Sequence, residues 1–324
     1  MSGLFQASAP NPDEMPCADR VFFGGGMERY RCLEYDKFTT YFLPPHQFCL
    51  VAPAIGSLRA TSYREISPHG PGEVDLDGRD SNYWHVVVWD QERRQLAGSL
   101  RLALSHWHGP GWSGRDSYLE HCYPGLDTFL KSRGMAYAEI GRTFVANSHR
   151  RITPVLFLLL RAMASLPIAT GHQYLFGMVS YNQYPYTEAL NHAFFSALQQ
   201  PPCRGDLPIP AARHPLPVDP AAFPKPDYCK DLSKVKLLGN PYLLLERTLR
   251  QHWPENFNLP VLLRKYSSFG NAHVLGLSLA KDFNQIVEIL MYCNLSSLSP
   301  KQRRLFLVED LKQVWLDDVD SKSL

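Results

Sequence analysis

The sequence predicts an α/β protein in which a mixed, mostly antiparallel sheet is flanked by helices and followed by a smaller, mostly helical C-terminal region. Three observations predict it. Two apolar runs, Trp84 to Trp89 and Leu96 to Leu104, flank the polar turn that begins at Asp90, which is the pattern of an antiparallel hairpin. A third run, Tyr137 to Val145, leads through Asn147-Ser-His-Arg-Arg151 into an apolar stretch opened by Thr153-Pro154. Pro fits the first turn of a helix because its missing N–H has no partner there. The strand–helix alternation then repeats, with Tyr174 to Ser180 as a strand and Thr187 to Leu198 as a helix.

Taken in order, residues 1–45 mix Pro, Gly and polar residues around Gly24-Gly-Gly26 and read as a partly ordered arm. Residues 46–200 carry the α/β pattern and form the expected core domain, with Pro167 expected to end the helix that starts at Thr153. Residues 201–226 are heavily Pro-rich and read as a linker or extended strap. Residues 227–324 read as a C-terminal helical cap, with helical patterns over 237–251 and 260–266, a short helix or strand over 283–293, and a charged, amphipathic tail after Pro300. No internal repeat is present.

Composition narrows the function classes. With 324 residues the chain can bury one large core or two modest ones, and its 45% hydrophobic and 20% charged content is that of a globular protein. A net charge of +2 is too mild to argue for a nucleic-acid partner, although local basic patches at 149–151 and 301–304 suit an acidic carrier protein or an anionic membrane surface. No apolar run reaches the roughly 18–20 residues of a spanning helix. The N-terminus lacks the pattern of a secretory signal. Seven cysteines, none in Cys-x-x-Cys spacing, suggest neither a zinc site nor a disulfide framework, and a reducing cytoplasm is the natural compartment. His106 and His108 could pair on a metal, but they have no third ligand at a matching spacing and read as surface-loop histidines. The absence of a Gly-x-Ser-x-Gly elbow disfavours an esterase.

One ordered set of motifs is more specific. Asp77-Gly-Arg-Asp80 precedes the first strand of the core, Gly98-Ser-Leu-Arg101 lies in the second and Glu139-Ile-Gly-Arg142 in the third. Leu58-Arg59 to Tyr63 supplies an early Arg-containing helix, and Tyr118 to Leu126 leads into the third strand. This order and spacing resembles the acyl-homoserine-lactone synthases and their wider relatives in the GNAT acetyltransferase superfamily. Those relatives include the hemolysin-like N-acyltransferases that start ornithine-lipid and glycine-lipid synthesis. Leu259-Pro-Val-Leu-Leu-Arg-Lys-Tyr266 and Lys281-Asp-Phe-Asn284 are similar to the C-terminal segment of the aminolipid acyltransferases, which lactone synthases lack. The resemblance covers roughly residues 50–200 and 255–295. It implies a GNAT (acyl-CoA N-acyltransferase) fold.

The chemistry explains these residue types. A thioester must be attacked by a neutral amine, so an acceptor's ammonium has to lose a proton at the site, and Glu139 is the candidate carboxylate to take it. Its alternative is a structural ion pair with Arg101 or Arg142. Arg101 and Arg142 could clamp a substrate carboxylate with planar guanidinium groups, or serve as buried partners of Asp77, Asp80 or Glu139. Asp77 and Asp80 could order a substrate loop or contact the amine, but Asp-Gly is also a plain turn signal. Arg59 reads as a helix-surface residue, while the resemblance implies a place in the substrate site. His149, Arg150 and Arg151 stand where superfamily members hold pyrophosphate or pantetheine at a helix N-terminus. No Gly-x-Gly occurs between Val145 and Thr153, and the basic side chains there favour an acyl-carrier-protein donor over free acyl-CoA, against the plainer reading of a solvated turn. The apolar run Val155 to Leu160 reads as helix core before acyl tunnel.

The resemblance thus implies an acyltransferase with no bound cofactor, using acyl carrier protein (or acyl-CoA) as co-substrate. It would acylate the α-amine of a small amino acid, ornithine or glycine, with a 3-hydroxylated chain in aminolipid synthesis. Cytoplasmic location with peripheral contact to the inner membrane is expected, and no nucleic-acid partner or metal. The rival readings are an autoinducer (acyl-homoserine-lactone) synthase using S-adenosylmethionine and a non-catalytic acyl-carrier-binding or sensor protein. A secreted cytolysin conflicts with the missing signal and the lack of amphipathic repeats.

Overall fold

The computed structural model describes residues 26–64, 72–106, 116–218, 240–269, 271–281, 283, 285–308 and 311. One sheet of eight strands organises them, in the order β1-β2-β3-β4-β5-β6-β8-β7. The strands are β1 (Arg31–Tyr35), β2 (Phe38–Leu43), β3 (Trp84–Asp90), β4 (Gln95–Leu104), β5 (Tyr137–Val145), β6 (Tyr174–Tyr181), β7 (His273–Ala280) and β8 (Ile286–Asn294). Every neighbouring pair is antiparallel except the parallel pair β5–β6.

Helix α4 (Thr153–Ala169) makes the crossover that the parallel pair requires. Its Val155, Leu158, Leu159, Ala162 and Met163 are buried, and it packs across β1 to β6. The run Val155 to Leu160 is therefore mainly core. Gly98 on β4 faces this helix: a Cβ there would lie 2.8 Å from the Phe144 carbonyl oxygen and 3.1 Å from Val155, so no larger residue fits. Side chains alternate along a strand. Leu100, Leu102 and, across the ladder, Ile140 share the α4 face, while Arg101, Ala103 and Glu139 face the other way.

That second face is covered by α1 (Ala52–Tyr63), which packs on β4 and β5, and by the short helices α2 (Tyr118–Cys122) and α3 (Leu126–Ser132). Leu119, Leu126 and Leu130 meet Tyr137, Phe176 and Leu290 in a separate apolar cluster. The remaining helices are α5 (Glu188–Leu198), α6 (Pro241–His252), α7 (Val261–Tyr266) and α8 (Pro300–Phe306). Their starts follow side-chain capping rules. Thr187 caps α5 and Asn240 caps α6, and Ser299 with Gln302 forms a capping box on α8.

Of the partly ordered arm read over 1–45, residues 1–25 lie outside the described residues, and in the rest β1 and β2 form a hairpin that extends the sheet, with Asp36 taking the left-handed turn position at φ 54°. Pro167 does not end α4: the helix continues two residues past it despite the backbone bond its missing N–H forfeits, and the stop falls at Thr170 and the left-handed Gly171 (φ 78°). The C-terminal helices α6, α7 and α8 are present, and β7 and β8 lie among them and complete the same sheet. The Pro-rich segment is a strap over its described part. It runs along edge strand β7, with Gly205 donating to the Val274 carbonyl at 2.9 Å and Leu279 donating to that of His214 at 2.9 Å. An otherwise open sheet edge is thereby covered.

Candidate functional site

The parallel pair β5–β6 holds only from Tyr137↔Tyr174 to Ile140↔Gly177. Beyond it, β5 stays with β4 up to Val145 and β6 stays with β8 up to Tyr181, so the two strands part in the middle of the sheet. On the α4 side of the parting lies a narrow apolar crevice lined by Ile140, Met163, Leu175, Phe269 and Met291 among others. On the other side lie the charged residues of the ordered motifs.

Three arginines and three aspartates form a closed lattice there. Arg59, from α1, makes a two-pronged contact with Asp80 at 2.9 and 2.6 Å and reaches Asp75 at 3.3 Å. Arg101, from β4, bonds Asp77 at 2.8 Å and Asp80 at 3.0 Å. Arg142, from β5, bonds Asp75 at 3.4 Å and Asp77 at 3.1 Å. The charges balance, three against three, which is how such groups tolerate removal from water. Burial pushes the Asp80 carboxyl upward, but the Arg59 hydrogen bonds and the nearby Arg101 and Arg59 charges outweigh it and hold the group well below the usual carboxylate range. His85 closes the inner side. Its Nε2 lies 2.8 Å from the Asp80 carbonyl oxygen, its ring stacks on Phe48, and burial lowers its pKa to about 4, so it is neutral.

Arg142 is the outward member. Between the pairs Arg101↔Gly141 and Ser99↔Phe144 two residues of β5 stand opposite one of β4, a bulge that places Arg142 at φ 52°. A non-glycine residue in that region costs on the order of 1 kcal/mol, and four partners hold it there. Its guanidinium meets Asp75 and Asp77 and lies 6.0 Å from the Tyr63 ring and 5.9 Å from the Phe283 ring. The side chains of Arg142 and Asp77 each keep 23% exposure, whereas Arg59, Arg101 and Asp80 keep 1–2%. The lattice therefore reaches solvent through one ion pair.

Glu139 stands beside the lattice but outside it. Tyr83 donates its hydroxyl to Oε1 at 2.7 Å, and the Tyr118 N–H lies 3.2 Å from the same oxygen. The Leu119 N–H and the Ser117 hydroxyl add weaker contacts to the same carboxyl, whose Oε2 is buried. Burial raises the pKa of this carboxyl, and the Tyr83 hydrogen bond and the Arg101 charge offset only part of the effect. Arg101 sits 4.6 Å over the Tyr83 ring, which ties the two groups together.

The structure thus gathers Arg59, Asp77, Asp80, Arg101, Glu139 and Arg142 on one face at the parting of the strands. Among the described residues the arginines' ion pairs go to aspartates, not to Glu139, and Arg59 is buried instead of lying on the helix surface. His149 is corrected: it does not join a docking surface but points inward, fully buried, with Nε2 3.0 Å from Asp90 Oδ2 and Nδ1 2.9 Å from Ser148 Oγ. Asp90 ends β3 and already accepts the N–H groups of Glu92 and Arg93, so His149 locks the loop before α4 to the β3–β4 turn. Arg150 and Arg151 are exposed, and Arg150 donates to the Ser62 carbonyl at 3.0 Å. His106 lies beside His172 with ring centroids 5.7 Å apart, while His108 lies outside the described residues. Among the described residues no three His, Cys, Asp or Glu side chains are placed to hold a metal, and no helix is long and apolar enough to cross a membrane.

Sequence reasoning missed Asp75, Tyr83 and His85 at the site and assigned no role to Tyr63 or Phe283. Asp75 carried a readable signal: in Val74-Asp75-Leu76-Asp77 the acids alternate, and both turn inward while Val74 and Leu76 are exposed.

A mixed sheet with one parallel pair that parts at its centre, with helices on both faces, is the GNAT fold. Residues 58–160, which carry Arg59, the Asp77–Asp80 loop, Arg101, Glu139 and Arg142, match the acetyltransferase (GNAT) domain family. No curated protein matches the chain. Among solved structures, the chain is similar to the CoA-dependent acyl-homoserine lactone synthase BjaI with SAM and isopentyl-CoA, at 10% identity over 83% of this chain and 92% of that one, with a TM-score of 0.37. It is similar to FeeM, an N-acyl amino acid synthase from uncultured soil microbes, at 10% identity over 81% and 98%, with a TM-score of 0.35. It is also similar to the loading GNATL domain of CurA from Lyngbya majuscula, at 8% identity over 81% and 99%, with a TM-score of 0.39.

Proposed function

We propose that this chain is an N-acyltransferase that moves an acyl group from a carrier thioester to the α-amine of an amino acid, with Glu139 accepting the ammonium's proton. One observation carries the reading. At the parting of β5 and β6 a buried carboxylate held by a phenol and peptide N–H groups, with no ion pair among the described residues, has a raised pKa beside an ion pair that reaches solvent. A base so tuned accepts a proton more readily than an ordinary carboxylate does. The acceptor's ammonium is held on Asp77 and its carboxylate on Arg142. After this proton loss to Glu139 the neutral amine attacks the thioester carbonyl, a C–N bond forms, the C–S bond breaks, the second N–H proton goes to the departing thiolate to give the thiol, and Glu139 returns the first proton to solvent. The acyl chain lies in the apolar crevice on the α4 face, and its thioester reaches Glu139 on the opposite face through the gap where β5 and β6 part.

Arg101 and Arg59 act through the lattice, holding Asp77 and Asp80 in place. Arg150 and Arg151 meet an acidic acyl carrier protein, and the product is a mono-acylated amino acid feeding membrane lipid synthesis at the inner face of the membrane. A second reading, a lactone synthase using S-adenosylmethionine, is favoured by one feature: the Tyr63 and Phe283 rings beside Arg142 suit a sulfonium cation as well. Mass spectrometry of lipid extracts from cells with and without the chain tests both. New N-acyl amino acids, lost with Glu139→Gln, support the first reading, and acyl-homoserine lactones support the second. No new acylated amine in either case contradicts both and favours a binding protein.

A further inference from the structure

His172, in the turn between α4 and β6, is a buried imidazole at 2% exposure that the acyl-transfer site does not use. The hydrogen bonds around it fix its tautomer. Thr170 Oγ1 donates its one proton to the carbonyl oxygens of Leu166 and Pro167, at 2.9 and 3.0 Å, so towards His172 Nδ1, 3.0 Å away, it can only accept. Nδ1 therefore carries the ring proton and Nε2 keeps a lone pair. That nitrogen is buried and has no hydrogen-bond partner among the described residues, which native cores rarely leave uncompensated. Burial first, and then the nearby His106 ring, lower the pKa of His172 to about 4, so the ring is neutral.

His106 supplies a second imidazole. It is exposed, it stands just past the end of β4, and its ring centroid lies 5.7 Å from that of His172. The two rings come from either side of β5, the strand between β4 and β6. Both backbones are anchored there: the Ser105 N–H donates to the Tyr137 carbonyl at 2.9 Å, and the Gln173 N–H to the Ala136 carbonyl at 3.0 Å. Two imidazole nitrogens on one tetrahedral ion, each about 2.0–2.1 Å from it, put their ring centroids about 5–6 Å apart. The separation of His106 and His172 falls in that range. A neutral ring whose other nitrogen donates to a fixed oxygen is also how metal-binding histidines are held.

The geometry points to a Zn²⁺ site formed by His172 Nε2 and His106, with Thr170 orienting His172 from behind and water filling the remaining positions. Neutral nitrogen ligands suit this borderline ion over Mg²⁺ or Ca²⁺, which take oxygen. With fewer protein ligands than a closed structural site, it binds reversibly. The bound ion ties the end of β4 to the start of β6 across the first residues of β5. It stands ahead of the parting of the strands, so it acts on the sheet and not on the proton transfer at Glu139.

Calorimetric titration of the purified full chain with zinc chloride, after EDTA treatment and dialysis, tests the site, with thermal unfolding followed alongside. The parent should bind one equivalent that His106→Ala weakens at least about 10-fold and His172→Ala removes, and the double variant should lose no more than His172→Ala alone. Excess Zn²⁺ should raise the Tm of the parent and leave that of His106→Ala unmoved, because only the folded pair binds it. Thr170→Val should weaken binding by about 10–100-fold through the lost support of Nδ1. His106 is exposed, so His106→Ala decides the question even where His172→Ala fails to fold. No binding at millimolar Zn²⁺, or an isotherm and Tm shift that His106→Ala leaves unchanged, overturns the site. Thr170→Val binding as tightly as the parent overturns the part given to Thr170.

Discussion

Asp80 and Glu139 are two buried carboxylates on one face of the same sheet, and their surroundings drive them in opposite directions. Asp80 keeps 0% exposure and Glu139 keeps 2%, so burial alone would raise both. Asp80 meets Arg59 in a two-pronged contact and Arg101 through a third bond, and it is held ionised. Glu139 meets a phenol, peptide N–H groups and the Ser117 hydroxyl, has no ion pair among the described residues, and titrates upward. Full guanidinium pairing makes a strut, whereas partial neutral pairing leaves a group that can exchange a proton. The site needs both: a fixed frame that presents Asp77 and Arg142, and one carboxylate free to act within it.

The contrast is sharpest in substitutions. Glu139→Gln should cut kcat by about 10²–10⁴-fold while leaving the urea midpoint close to that of the parent. Because its folded pKa is raised, the stability Glu139 contributes is present at low pH and lost as pH rises through the folded value, so a neutral amide costs nothing at pH 7. Asp80→Asn should do the reverse and destabilise by about 3–5 kcal/mol in urea titration, because two buried guanidinium groups lose a partner. Its folded pKa is depressed, so its contribution holds above the unfolded value and is lost as pH falls towards the folded one. A smaller effect is expected for Tyr83→Phe. Removing a donor that lowers the Glu139 pKa should move the acidic limb of the pH–rate profile further upward, with a several-fold loss of rate below neutrality. Smallest of all, Arg151→Ala should raise KM for an acyl carrier protein thioester a few-fold, with the difference shrinking at high salt and absent for a pantetheine thioester.

Much of the frame was legible in the sequence. Strands β3 to β6 announce themselves as largely apolar runs, broken in β4 and β5 by the charged site residues Arg101, Glu139 and Arg142, and the helix after β5 opens with Pro154. The β1–β2 hairpin did not, because Phe38–Leu43 is buried on both faces and shows no alternation, and its turn seats Asp36 where a glycine would have given the signal. Leu275, Leu277 and Leu279 do alternate in β7, but β8 inserting between β6 and β7 is a long-range choice that local pattern does not carry. At the site, the motifs supplied the residues and not their pairings. Nothing in the sequence says that Arg59 takes Asp80, 21 positions away, while Glu139 takes Tyr83. The basic run at 149–151 looked uniformly exposed because Asp90, which buries His149, lies 59 residues upstream.

The measurement that tests the central claim most directly is the pH dependence of kcat/KM for acyl transfer to glycine, taken in parallel on the parent chain and on Glu139→Gln. The parent should show an acidic limb above the 4.5 of an ordinary glutamate, and the variant should lose both that limb and most of its turnover. A variant that keeps the parent's rate and the same limb would contradict the account, because the proton would then be leaving the amine by way of some other group.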